Sequence, residues 1–222
     1  MYPKLMAKLF IYVFVILFAA TEVAAHEAPT GEDSSLLRAI EKGGYILYLR
    51  HGEATVGEDQ TELNFNDCRT QRNLSEHGRD QARAFGVIYG KQLIPIRYPV
   101  MSSPYCRARE TAEIIFGKQN VVVAPVLASI EKLRIESYPA EKKQQILSDL
   151  SKIFETPPAH GTNTVIVAHT FLPHVALGDI PNLGTVIIKP KGTGRGYEIV
   201  GRISFDQFIQ LTQDLNTSHI RR

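Results

Sequence analysis

Tyr45-Ile46-Leu47-Tyr48-Leu49-Arg50-His51-Gly52 sets an almost unbroken apolar run against a cation, an imidazole and a glycine. A short run with apolar side chains pointing both ways predicts a strand buried on both faces of a sheet. Gly43-Gly44 stops the amphipathic helix predicted over 34–42, which has Leu37 and Ile40 on one side. Helix, glycine stop and doubly buried strand are the opening of an α/β domain. The polar triplet then falls where the strand leaves the sheet.

The rest of the chain repeats this alternation. Residues 53–72 are polar and irregular, long enough to count as a functional loop. Ser75 reads as an N-cap, and Ala82, Phe85, Ile88 and Tyr89 recur at helical spacing up to about Leu93. A second strand is predicted over 98–101. Ser103-Pro104 follows as a cap and an N1 proline for a helix to about Phe116. A strand over 121–123, a helix over 140–154 with Ile146, Leu150 and Ile153 on one face, and an apolar strand over 164–168 come next. Residues 184–204 read as a hairpin around Lys191-Gly192-Thr193-Gly194, and 205–215 as a last helix before a polar tail. The expected fold is α/β, a three-layer α/β/α sandwich around a mostly parallel sheet. Nothing divides residues 26–222 into more than a single domain.

Bulk properties narrow the function. Of 222 residues, 44% are apolar and 22% charged, and the formal net charge is +2. That balance excludes a nucleic-acid or membrane-surface binder, so basic residues must act locally. Lys4 and Lys8 precede an apolar run over 9–20, and Val23-Ala24-Ala25 offers small residues for cleavage. Residues 1–25 therefore read as a secretory signal peptide, the run being shorter than the ~20 residues of a membrane span. An uncleaved anchor is the alternative. A periplasmic or secreted protein with no integral membrane span after processing is expected. Cys68 and Cys106 then read either as a disulfide suited to an oxidising compartment or as two independent thiols.

Ligands of open α/β sheets bind outside the carboxyl ends of the strands. Arg50-His51-Gly52 lies there after the first strand, Ser102-Ser103-Pro104 and Arg107 after the second, and His169-Thr170 after the fourth. Two arginines, two histidines and a helix N-terminus suit a phosphate dianion. Guanidinium forks match phosphate oxygens, and helix N–H groups add positive dipole. Gly52 reads as room for the close approach of ligand and backbone. A neutral His51, its pKa depressed by Arg50 and Arg107, can attack phosphorus and split one hard step into two. Each signal alone has an ordinary explanation: a structural histidine, or Arg107 paired on its helix with Glu110 or Glu113.

Together the segments resemble the histidine phosphatase superfamily. Tyr48-Leu49-Arg50-His51-Gly52-Glu53 is similar to its signature, and Asn73-Leu74-Ser75-Glu76-His77-Gly78-Arg79-Asp80-Gln81-Ala82 to its "LTxxGxxQA" helix start. Ser102-Ser103-Pro104-Tyr105-Cys106-Arg107-Ala108-Arg109-Glu110-Thr111-Ala112 resembles its "SSPxxRAxxTA" helix. Val165-Ile166-Val167-Ala168-His169 resembles the strand with its second histidine. The resemblance implies His51 as the phosphorylated nucleophile, and Arg50, Arg107 and His169 as its phosphate pocket. It implies a carboxylic acid as proton donor. Glu131 stands where one branch places it and should have a raised pKa or a proton shared with the phosphate. Glu53 is the reserve, and a surface pairing with Lys132 or Arg134 is the plain reading of Glu131.

Ala54-Thr55 after Glu53, and Thr170 after His169, depart from the acid-phosphatase and phytase branch. Ala54-Thr55-Val56-Gly57 and the short chain depart from the mutases, leaving a phosphomutase as the weaker enzyme reading. The resemblance implies no cofactor and no metal, since phosphohistidine chemistry needs none. His169 and His174 are read as no metal pair, because no third ligand has suitable spacing. The partner expected is a small phosphorylated substrate or a phosphorylated surface group. Sugar phosphates, lipopolysaccharide-linked phosphates, nucleotides and phosphopeptides all stay open. A phosphate-binding or scaffold protein that kept the pocket without turnover is the alternative of another class. It gains ground if Glu131 is remote from His51 with no other carboxylate nearby.

Overall fold

Alternation along the strands decides where every layer sits. The computed structural model describes residues 31–91 and 94–210. In chain order it contains α1 (Gly31–Ile40), β1 (Ile46–Arg50), α2 (Glu76–Lys91), β2 (Val100–Ser102), α3 (Cys106–Phe116), β3 (Val121–Val123), α4 (Ala140–Glu155), β4 (Thr164–Ala168), β5 (Thr185–Pro190) and β6 (Tyr197–Ile203). A further helix starts at Phe205. The signal segment 1–25, Leu93 and the end of the last predicted helix lie outside the described residues.

The sheet runs β3-β2-β4-β1-β5-β6. Its first four strands are parallel, while β5 and β6 return antiparallel as the predicted hairpin. Leu47 and Leu49 of β1, with Val165, Val167 and Ile187, pack beneath α1, α2 and α3 through Leu37, Phe85, Tyr89 and Phe116. Ile46 and Tyr48, with Ile166, Ala168, Val186 and Ile188, pack against Ile146, Leu150 and Phe154 of α4. The expected three layers are there, in one domain. Among the described residues no helix is long and apolar enough to cross a membrane.

Two boundaries differ from the sequence reading, each for a physical reason. The second strand begins at Val100, because Pro99 has no N–H for the ladder. The third helix begins at Cys106 and not after Ser103. Ser103 donates its N–H to Val167 O at 3.0 Å, which continues the β2–β4 ladder and keeps it out of the helix. The helix N-terminus is therefore not free: Gln71 Oε1 accepts the Cys106 N–H at 2.8 Å. Ser75 does cap α2, its Oγ accepting the Gly78 N–H at 2.9 Å.

Residues 125–134, unassigned from the sequence, form a long 3-10 segment. Its buried residues Leu127, Ile130 and Leu133 fall at intervals of three, the period of that helix. This seam anchors the segment on the α4 side of the core. It also holds Glu131 at a fixed place between anchors.

Cys68 and Cys106 are bridged, with Cα atoms 5.8 Å apart and a sequence separation of 38. The bond ties the 53–72 loop to the first turn of α3. Closing a loop of this length stabilises by about 4 kcal/mol in the chain-entropy account. The double variant Cys68→Ser/Cys106→Ser is expected to lose roughly 3–4 kcal/mol in urea unfolding. Equal unfolding midpoints for the variant and the oxidised protein would contradict this.

Candidate active site

Register brings the polar residues together. Arg50 of β1 pairs with Ala168 of β4, and Val167 pairs with Ser102 of β2. The residues that follow, His51, His169 and Ser103, therefore leave the sheet side by side at its carboxyl edge. The rings of His51 and His169 lie 5.5 Å apart.

His51 is buried, and its Nδ1 lies 2.7 Å from Gly52 O. A carbonyl only accepts, so Nδ1 carries the proton and Nε2 of the neutral ring keeps its lone pair. Burial pushes the His51 pKa well below 6.5; His169, Arg107 and Arg50 push the same way, against the Gly52 bond. Gly52 N–H donates to Thr111 Oγ1 at 3.1 Å, fixing this turn to α3. Gly52 is required by the close approach of α2: a Cβ there would stand 2.7 Å from Gly78 O.

Arg107 has no solvent exposure. Its Nη1 donates to Asp59 Oδ1 at 2.9 Å and Arg72 O at 3.3 Å, and its Nη2 to Glu131 Oε1 at 3.3 Å. The guanidinium lies 4.2 Å from the centre of the Tyr105 ring. Glu110 and Glu113 pair instead with Arg79 and Arg109, so the surface-helix account of Arg107 does not hold. Arg50 Nη1 donates to Ile180 O at 2.6 Å. The buried Nε atoms of Arg50 and Arg107 have no hydrogen-bond partner among the described residues. Buried donors without acceptors are rare, and here two of them flank one imidazole.

His169 is equally buried. Tyr48 OH donates to its carbonyl at 2.7 Å and accepts its N–H at 3.2 Å, fixing the backbone. Its Nε2 lies 2.8 Å from Ser103 Oγ. Its Nδ1 is 3.0 Å from Glu131 Oε1 but out of line for a hydrogen bond. Burial lowers the His169 pKa, and the Glu131 carboxylate only partly opposes this.

Glu131 thus joins the cluster through Arg107 and His169. Of the two expectations for its acidity, a raised pKa is not met, and a proton shared with the phosphate is the one left. Burial pushes its pKa up, but His169, Arg107 and Arg134 together outweigh burial and hold it below the ordinary carboxylate range. In the free site Glu131 is ionised. Glu53 has a different attachment, accepting the Ser75 Oγ–H at 2.7 Å beside the α2 cap.

Three residues of the site escape a sequence reading. Asp59 and Arg72 come from the 53–72 loop, and Arg134 from the end of the 3-10 segment. Asp59 Oδ1 also accepts the Arg72 N–H at 2.9 Å. Arg72 Nη1 donates to Ala54 O, and burial, then Arg107, lowers its pKa. Only the charge of these residues was visible, and surface loops are full of such charges. Exposed His77 and His160 stand apart from this cluster. Among the described residues no three His, Cys, Asp or Glu side chains form a metal-ligand group.

No curated protein matches the chain in sequence. Similar solved structures include the protein histidine phosphatase SixA complexed with tungstate, at 18% identity and TM-score 0.45 over 73% of this chain and 97% of that one. A mycobacterial glucosyl-3-phosphoglycerate phosphatase has 19% identity and TM-score 0.46 over 71% and 97%. A phosphoserine phosphatase from Entamoeba histolytica has 17% identity and TM-score 0.44 over 73% and 98%. The model of the histidine phosphatase superfamily (branch 1) matches residues 46–160, just over half the chain, including β1 with His51 and α3 with Arg107. By that match the chain belongs to the histidine phosphatase superfamily, branch 1.

Proposed function

We propose that the protein is an exported phosphatase that hydrolyses phosphate monoesters through a phosphohistidine on His51. The observation that carries this reading is the buried His51 ring with its proton fixed on Nδ1 by Gly52 O, beside two guanidiniums that each keep an unpartnered Nε. Such a ring is a nucleophile, and such guanidiniums are receptors for phosphate oxygens.

The steps follow from those positions. The phosphate enters among Arg50, Arg107 and His169. His51 Nε2 attacks phosphorus, the bond to the ester oxygen breaks, and that oxygen takes a proton and leaves as an alcohol. Glu131 holds this proton at the ester oxygen. Because it is ionised in the free site, the proton arrives with the substrate monoanion, whose second pKa is ~6. In the second step Glu131 accepts a proton from water as the water attacks phosphohistidine, releasing inorganic phosphate and restoring the imidazole.

The substrate is a small phosphorylated molecule or a phosphorylated surface group. Export is supported by the pattern of residues 1–25 and by the disulfide, a bond that persists in oxidising compartments. On this reading residues 26–222 are the mature phosphatase.

The sign of the pH dependence is set by the site. A lowered His51 pKa keeps the ring neutral at pH 6.5, so the acid limb of kcat/KM lies below that value. Above about pH 6 the substrate loses the transferable proton, and kcat/KM for an alkyl phosphate falls toward tenfold per unit. The expected optimum is mildly acidic, and one above pH 8 would contradict the scheme. The direct test is hydrolysis of p-nitrophenyl phosphate by the chain with a chelator present. Turnover supports the reading; phosphate binding without turnover would make the protein a phosphate binder.

A further inference from the structure

We propose that Asp59 is a specificity-determining residue: its carboxylate occupies Arg107 in the free site and turns away phosphomonoesters carrying a second anionic group beside the ester. This rests on the phosphatase reading and adds the substrate class.

Two of the three nitrogens of Arg107 are taken by carboxylates, Asp59 on Nη1 and Glu131 on Nη2, and Nε has no partner among the described residues. Glu131 has a place in the chemistry. Asp59 has none, yet it makes the shorter contact, 2.9 Å against 3.3 Å. A phosphate on the unpartnered Nε of Arg107 shares the guanidinium with Asp59. Asp59 is 31% exposed while Arg107 has no exposure, so the carboxylate lies on the solvent side of the guanidinium.

The local charge makes the same point. Arg50, Arg72, Arg107 and Arg134 act on one another and on Glu131 across the pocket. Against these four guanidiniums stand Asp59, Glu131 and, acting on Arg50, Asp179, which leaves one positive charge, the match of one phosphate monoanion. A second anion on the substrate finds no surplus cation and meets Asp59 at close range. Like charges so placed cost several-fold to many-fold in affinity.

Asp59 cannot easily swing aside. Its Oδ1 also accepts the Arg72 N–H, the neighbouring Gln60 N–H donates to Thr70 O at 3.0 Å, and the loop is bridged to α3 at Cys68–Cys106. The pocket therefore favours neutral, hydroxyl-bearing or cationic leaving groups over anionic ones.

Asp59→Asn keeps an oxygen acceptor for Arg107 and Arg72 and removes the charge. Two readings are needed: titration calorimetry with inorganic phosphate, and kcat/KM for ethyl phosphate against phosphoglycolate, which differ in one carboxylate. The variant is expected to bind phosphate about tenfold tighter and to raise the phosphoglycolate-to-ethyl phosphate ratio about tenfold. Unchanged or weaker phosphate binding, or an unchanged ratio, would overturn the inference. If neither protein hydrolyses either ester, the phosphatase reading fails. The phosphate titration still decides on Asp59: tighter binding upholds its role as a competitor for Arg107, and equal binding removes it.

Discussion

His51→Ala is expected to lower kcat for p-nitrophenyl phosphate by at least ~10³-fold, the scale of removing a nucleophile. The loss should lie in kcat rather than in phosphate binding, since Arg50, Arg107 and His169 come from other positions. Inorganic phosphate should still bind to the variant, and its thermal midpoint should stay above the assay temperature. Equal activity in variant and wild type would mean that another group attacks phosphorus. The magnitude follows from the site: no second imidazole there is ready. His169 Nε2 is engaged by Ser103 Oγ, and its Nδ1 faces Glu131.

Glu131→Gln is expected to cost ~10²–10⁴-fold in kcat for an alkyl phosphate, the range for losing a positioned acid–base group. With p-nitrophenyl phosphate the first step should be far less affected, because that leaving oxygen needs little protonation. Water attack on phosphohistidine would then limit turnover, and a burst of p-nitrophenol should appear. The amide also leaves Arg107 with one carboxylate fewer, so KM for either ester should fall. Equal losses with both esters and no burst would assign Glu131 a structural role, holding Arg107 and His169 apart.

The sheet and its carboxyl edge were legible because buried parallel strands announce themselves as apolar runs. Tyr45–Leu49 and the run ending at Ala168 are too apolar for any half-exposed element, and the first leads through Arg50 to His51, the second directly to His169. In-register pairing then does the rest. The start of α3 was misjudged because Ser103-Pro104 carries helix-start chemistry, whereas tertiary bonds from Ser103 to Val167 and His169 prevail. The 3-10 segment over 125–134 shows a period of three that a search at 3.6 does not detect. The charge state of Glu131 was unreadable for a different reason. It depends on distances to Arg107, His169 and Arg134, none of which is near it in the chain except the last.

The central claim is a covalent bond between phosphorus and His51. It is tested most directly by mixing Glu131→Gln with p-nitrophenyl phosphate, quenching in alkali, which spares phosphohistidine, and mapping the phosphoryl group by peptide mass spectrometry. The account predicts an acid-labile phosphoryl group on the peptide that contains His51, absent from the Glu131→Gln/His51→Ala double variant. Turnover with no trapped phosphoryl group, or a phosphoryl group on another residue, would contradict it.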